Sequence, residues 1–501
     1  MNARLKRKRA ANAKKRTRQS LDSGLRLLAL ILLTQRKLRL ERKKRQKRKR
    51  LRRRIMRLKR IQRRRRRKMR LIREMRLRRR RERVNHSAPP VHSHDVQHIT
   101  DHKPPSENRN SSHSSLPHWV GEEADGIIAP ISYDNTPAWI SQSAEKGSLI
   151  APVFKELYPG FTDIYPEARD INGNIRFDNT QVTSPSCFVA VIPSGRIWGV
   201  NGSVITPDNV VLEDVSMEFS IGLNFGIHPA ISRWAPHQLS FTSETVASLG
   251  FSDSQNYFHW LYDVLGRLHL LQLSGIKVDK YVINRRSRIW WDIDDLNGPR
   301  PFQEESLRML GIDSKQIIET HEEFNLKAGQ VVVMSHTERR GYPKWASEFL
   351  RKVFLFDRGL DVNGQGSEYI YISRLKAKRR RILNETDVID LLTAHGFKIY
   401  SLEEMSMDEQ IRLFNNAKVV VSPHGAGMSN ITFCKPGTSI VEIFTPNWIK
   451  DCYYRISNHC NLDYHCLVGE GVAWEGMRWD GEEDLIVDMD QLKQVLSQIK
   501  I

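Results

Sequence analysis

Three stretches hold residues whose types and spacing suit chemistry. In "NYFHWLYDVLGRL", His259 and Asp263 stand four apart among apolar residues, which puts both on one face of a helix. An unpartnered polar group buried there costs several kcal/mol. The pair therefore suits a general base with its orienting neighbour; it suits equally a His–Asp contact that pins the helix, with Arg267 one turn on to neutralise Asp263. In "YIYISRLKAKRRRILNE" an apolar strand runs into Arg374, Lys376, Lys378, Arg379, Arg380 and Arg381. Fixed cations at a strand end suit a diphosphate, and a solvated basic loop would look the same. In "VVVSPHGAGMSNITFCKPGTSIVEIF" the apolar run stops at Pro423 and His424 follows, a donor for a phosphate or a nucleotide sugar. Gly425 and Gly427 let the backbone bend and admit a ligand where a Cβ would stand. A helix begun near Met428 would aim its free N–H groups at that space. A plain corner between strand and helix fits these residues too.

The elements that must position these groups follow from periodicity. "CFVAVIPSGRIWG" and "GSVITPDNVVLEDVS" alternate and break at turn residues, which predicts short strands and hairpins. "YFHWLYDVLGRLHLLQLSG" predicts one amphipathic helix with Gly275 past its end. "KYVINR", "QIIET" and "QVVVMS" predict strands, with helices at "PFQEESLRMLGI" and "YPKWASEFLRKVFLF". After the turn-rich "DRGLDVNGQGSE", strands "YIYISR", "FKIYS", "KVVVSP" and "SIVEIF" alternate with helices "ETDVIDLLTAHG", "SMDEQIRLFNNA" and "GMSNITFC". Such alternation implies right-handed crossovers and parallel sheets. The fold class expected is α/β, with two Rossmann-like domains (119–357 and 358–501) facing across a cleft and ligands at the strands' carboxyl ends.

The 501 residues carry a formal net charge of +23 that comes from one end. Residues 1–83 hold 41 Lys and Arg against 4 Asp and Glu, a net +37, while the remainder is −14. Residues 1–84 read as a highly basic arm, helical or disordered, that would meet an anionic surface of acidic lipid or RNA. It has no aromatic residue to stack on bases, which weakens the nucleic-acid option. Residues 85–118, rich in Pro, Ser and His, read as a linker. Five cysteines without a C-x-x-C pair point to reduced thiols and a cytoplasmic setting, peripheral on a membrane. In "CYYRISNHCNLDYHC" His459 and His465 adjoin Cys460 and Cys466, but directly adjacent ligands rarely share one tetrahedral ion. Buried thiols and no metal are expected. A Golgi-type anchor would need Gly24–Leu33 to insert, ten residues including Arg26 against the roughly 20 a bilayer requires.

Taken together, in this order and at these separations, the three stretches resemble the signatures of glycosyltransferase family 61 over about residues 185–470. The resemblance implies a GT-B fold, with the nucleotide sugar held mainly by the C-terminal domain. It also implies inverting transfer of a hexosyl or pentosyl group to a glycan or protein hydroxyl, without an obligatory metal or other cofactor. Where the family commonly has Pro after Asp-x-Leu this chain has Gly266, which would loosen the helix around Asp263 and Arg267. On this reading Asp263 takes the acceptor proton and His259 orients it or substitutes for it. Arg374, Lys378, His424 and the backbone of Gly425, Ala426 and Gly427 hold the donor, and Glu442 accepts the ribose hydroxyls. Surface polysaccharide or glycoconjugate synthesis is the setting this suggests. The rival is a nucleic-acid-binding protein that acts through the basic arm and carries an inactive transferase-like body.

Overall fold

The run "CFVAVIP" is buried along nearly its whole length as the strand Cys187–Pro193. The sheet it joins is covered on both faces. The structure is a computed structural model that describes residues 131–133, 135–145, 152–177, 181–217, 238–285, 300–337, 341–360, 366–474, 477 and 480–501. The basic arm and the linker lie outside these residues. Residues 117–501 form one unit. Among the described residues no helix is long and apolar enough to cross a membrane.

Ten strands make a mixed sheet around Asn325–Met334. That strand pairs in parallel with Ser240–Ser248 (Val331 opposite Val246) and antiparallel with Cys187–Pro193 (Val332 opposite Val191). Lys280–Ile283 and Ile317–Glu319 extend the parallel half. The hairpins expected over 196–212 form the meander Arg196–Trp198, Ser203–Ile205, Val210–Leu212, whose turns are too short for a crossover. It adds to the same sheet, so the first block is mixed where alternation alone predicts parallel pairing.

The second sheet is wholly parallel, in the order Lys398–Tyr400, Glu368–Ile372, Ala417–Pro423, Ser439–Phe444, Asp463–Val468. Numbered by sequence that is 2-1-3-4-5. The order reverses between Glu368–Ile372 and Ala417–Pro423, and a crevice at the carboxyl ends of such a pair is where open α/β sheets bind ligands. Arg374 and His424 follow those two strands directly. The connecting helices start where the sequence says they should: Ser406 accepts from Glu409 N (3.3 Å) while Glu409 Oε2 accepts from Ser406 N (2.7 Å), a capping box that opens Met407–Asn415. The fifth strand, Asp463–Val468, carries Cys466 and is not anticipated by the sequence pattern.

One hydrophobic cluster runs through both blocks, from Ala247, Leu261 and Val332 to Ile370, Val420 and Ile440. Polar contacts cross with it. The Tyr257 hydroxyl donates to Asn430 Oδ1 (2.8 Å), and Asn430 Nδ2 donates to Gln410 Oε1 (2.8 Å). Glu305 accepts from the Met407 and Asp408 N–H groups (2.8 and 3.1 Å), a carboxylate at a helix N-terminus. The run 257–274 is helical but not uniform. Tyr257–His259 passes into a π-helical turn, Trp260–Val264, then a 3-10 turn, Leu265–Arg267, and resumes at Leu268–Ser274. Gly275, at φ +68°, ends it as expected.

Gly266 lies in the 3-10 turn of this run. A Cβ there would stand 3.5 Å from the Leu261 carbonyl oxygen and 3.8 Å from Ala346, ordinary contact distances. Gly266→Ala is therefore expected to hold or raise the melting temperature, by about 0.5–1 kcal/mol of stability. Gly250→Ala is the contrast. Its Cβ would lie 2.4 Å from the Asn201 carbonyl oxygen, and a loss of about 1–3 kcal/mol is expected from overpacking. Thermal unfolding of the two variants checks both.

Candidate active site

Asp263 lies in the π-helical turn and is 0% exposed; such turns recur at functional sites. Its Oδ1 accepts from the Thr337 hydroxyl (2.6 Å) and its Oδ2 meets His259 Nδ1 (2.8 Å). Arg267 makes its hydrogen bonds elsewhere. Its Nε donates to the Asp263 carbonyl (2.5 Å) and its Nη2 to the carbonyls of Leu249 (2.6 Å) and Gly250 (3.0 Å). Burial pulls its pKa down to about 10. Arg267 thus ties the helix through backbone to the segment that follows the interior strand Ser240–Ser248, and Asp263 and Arg267 are both hydrogen-bonded on either side of Gly266. His259 is the member that reaches outward, with 17% of its side chain exposed and Nε2 3.6 Å from Asp253 Oδ2, beyond a hydrogen bond. A carboxylate that fixes Nδ1 leaves Nε2 as the proton-accepting atom. The geometry therefore fits His259 as base and Asp263 as its orienter, the reverse of the order favoured from sequence.

At the carboxyl ends of the second sheet the cations are sorted by their acids. Lys376 pairs with Glu404. Arg379 Nη1 lies 3.0 Å from Glu482 Oε1, and Arg381 Nη2 lies 2.5 Å from Asp484 Oδ2. Lys378, expected at the donor, is exposed. Among the described residues no carboxylate lies within salt-bridge distance of Arg374 or Arg380, although Glu403 acts on the first and Glu482 on the second. Arg374 Nη2 donates to the Arg379 carbonyl (3.2 Å), and the Nε of each is enclosed without an acceptor. Burial first, and then repulsion from Arg374 and Arg379, pulls the Arg380 pKa down to about 9; burial also lowers that of Arg374. Arg380 holds a left-handed φ of +55°, a conformation that costs about 1–3 kcal/mol and clusters at functional sites.

The glycine-rich turn makes room for these cations. Gly425 is extended (φ 177°), so bending is not its role. A Cβ there would lie 2.1 Å from Arg374 Nη1, and one at Gly427 would lie 2.7 Å from Leu402 Cδ1. The protein's own side chains fill both spaces. A 3-10 helix, Ala426–Phe433, follows. His424, 7% exposed, stacks on Phe444 and packs against Tyr453, whose hydroxyl donates to the Gly425 carbonyl (2.7 Å). Burial, then Arg380, Arg374 and Lys450, hold the imidazole pKa well below its ordinary value.

Glu442, expected at the ribose, has both carboxyl oxygens engaged by the protein. It is 0% exposed, with Oε1 2.5 Å from His424 Nδ1 and Oε2 accepting from the Tyr464 hydroxyl (2.6 Å). Burial raises its pKa well above the ordinary carboxylate value. Its place is beneath His424, as an orienter. Phe258, which packs against both His259 and Tyr453, joins the two halves of the site.

Sequence reasoning singled out His259, Asp263, Arg374, His424 and the glycines. It missed Thr337, Asp253, Tyr453 and Tyr464, whose local sequence carries no signal, and Arg380, which was in view but indistinct among six cations. Among the described residues no group of three His, Cys, Asp or Glu converges as a metal site. Cys434, Cys460 and Cys466 are buried free thiols.

Residues 257–441 match the model of the family Glycosyltransferase 61. A Beta-1,2-xylosyltransferase of Arabidopsis thaliana is 30% identical over 100 residues, 17% of this chain and 19% of that protein. A Protein O-linked-mannose beta-1,4-N-acetylglucosaminyltransferase 2 of Canis lupus familiaris is 35% identical over 116 residues, 22% of this chain and 19% of that protein. A Xylan glycosyltransferase of Arabidopsis thaliana is 27% identical over 122 residues, 23% of this chain and 24% of that protein. The similar segment thus spans under a quarter of each relative's length. The family match begins at Tyr257, in the first motif, spans the second, and ends at Val441, inside the third.

Proposed function

We propose that this chain is an inverting glycosyltransferase of GT-B type that moves a sugar from a nucleotide-diphosphate sugar to a hydroxyl of a glycan or protein. One observation carries the reading: Arg374 and Arg380, at the reversal point of a parallel sheet, each enclose an Nε without an acceptor and, among the described residues, have no carboxylate within salt-bridge distance. A cation with a buried nitrogen that lacks an acceptor is costly, and a bound diphosphate would relieve it with charge-assisted, fork-shaped hydrogen bonds. His424 and the first N–H groups of Ala426–Phe433 complete the anion shell. Arg374 and Arg380 oppose the charge that grows on the leaving diphosphate, so no obligatory metal enters the scheme.

In this scheme His259 Nε2 takes the acceptor's hydroxyl proton as its oxygen attacks the anomeric carbon, and the bond to the diphosphate breaks on the opposite face. Asp263 fixes the imidazole tautomer through Nδ1 and stabilises the imidazolium that forms. One displacement on an α-configured donor gives a β-linked product, and β-linkages are what the names of the xylosyl- and N-acetylglucosaminyltransferase relatives carry. In our reading the first block presents the acceptor and the second holds the donor. The reaction would take place on the cytoplasmic side of an anionic membrane that attracts residues 1–84. The nucleic-acid-binding alternative finds no support among the relatives.

Calorimetry with a panel of UDP-, GDP- and CMP-sugars is expected to find one class that binds. Arg374→Ala or Arg380→Ala should each lower transfer by roughly 10²–10³-fold, the scale of one lost transition-state donor. Unchanged donor binding and transfer in both variants would remove the diphosphate site. His259→Ala should leave donor binding intact and reduce transfer by about 10²–10⁴-fold, and Asp263→Asn should follow it through loss of the tautomer. Transfer at the normal rate in His259→Ala would place the base elsewhere.

A further inference from the structure

Glu442 is 0% exposed and bonded to the His424 imidazole at the carboxyl end of the parallel sheet. Its carboxyl shares a 2.5 Å hydrogen bond with His424 Nδ1 and receives Tyr464 on the other oxygen. Three cations act on the imidazole: Arg374 and Arg380 from the loop after Glu368–Ile372, and Lys450 from the segment after Ser439–Phe444. Tyr453 packs on the ring, and Tyr464, Cys452 and Cys466 surround the carboxyl. With no anion present, the three cations oppose a further charge on His424 and the proton rests on Glu442. A diphosphate between Arg374 and Arg380 reverses the sign of the field at the ring.

We propose that diphosphate binding moves the shared proton from Glu442 Oε1 to His424 Nδ1, so that Glu442 is a positioning residue which charges His424 only when the leaving group is in place. The proposal rests on the donor-site reading above. In this step the Oε1–H bond breaks and the Nδ1–H bond forms. The carboxyl becomes a carboxylate, the imidazole an imidazolium, and no proton is exchanged with solvent. Nε2 carries its hydrogen in both states. Only in the second is it a charge-assisted donor, the stronger kind. A buried carboxyl thus acts as the proton reservoir for the His424 that would touch the phosphate.

The test is ¹⁵N NMR of the His424 ring in the full chain, assigned by the signal lost in His424→Gln. Spectra are taken with and without inorganic pyrophosphate, whose binding is followed in parallel by calorimetry. A neutral imidazole pattern alone and an imidazolium pattern at saturation are expected. Pyrophosphate that binds while the ring stays neutral overturns the proton shift and leaves the donor site standing. Pyrophosphate that does not bind overturns the donor site and this inference with it. Glu442→Gln, which removes the reservoir, should keep the ring neutral at pH 8 and weaken pyrophosphate about tenfold, with Glu442→Asp restoring part of both. An imidazolium signal at wild-type affinity in Glu442→Gln counts against the proposal, and the wild-type spectra decide it if that variant does not fold.

Discussion

Burying a guanidinium nitrogen without an acceptor is costly, and the end of the parallel sheet does so at both Arg374 and Arg380. The surrounding structure is arranged around that constraint. Glu482 and Asp484 take Arg379 and Arg381, which fixes the loop without neutralising its other cations. Leu383 N donates to the Leu485 carbonyl and Leu485 N to the Arg381 carbonyl (2.8 and 2.9 Å), so a short ladder holds the loop from behind. Gly425 omits the Cβ that Arg374 would strike, and Arg380 accepts a left-handed backbone to turn inward. Four separate accommodations leave the same two charges without acids.

The second half-site is held by the first block but leans on the second. Tyr257 bonds to Asn430, and Tyr262 bonds to Thr432 and Ser347. The π-helical turn that carries Asp263 is therefore fastened to the 3-10 helix that follows His424. Arg351 adds two bonds to the carbonyls of Thr432 and Cys434. The hydrophobic cluster shared by both sheets buries the same boundary. These contacts couple the turn that carries Asp263 to the turn that carries His424.

Much of this was legible before any coordinates. Apolar runs such as "KVVVSP" can be buried on both faces only in a parallel sheet, and their spacing predicted the strands of the 2-1-3-4-5 order that carry Arg374 and His424. The capping box at Ser406 and the left-handed Gly275 were equally readable, because both are local rules. What was not readable depended on partners distant in sequence. No local feature says that Arg379 and Arg381 meet acids some 103 residues away while Arg380 meets none. Nor does any local feature say that Tyr464 and His424 occupy both oxygens of Glu442. A helical face gives direction without depth, so it does not tell that Asp263 is buried while His259 keeps 17% of its side chain exposed. The mixed first sheet escaped for a similar reason. Strand alternation predicts pairing within a block but not that a neighbouring meander will join its edge.

The family match ends at Val441, inside the strand Ser439–Phe444. The segment shared with relatives contains every cation of the loop, but Glu482 and Asp484, which divide paired cations from unpaired ones, come after it. Inheritance of the motif and inheritance of its charge pattern are therefore separable. A chain that kept "RLKAKRRR" and changed only its last few dozen residues would expose a different set of positive charges to the same crevice.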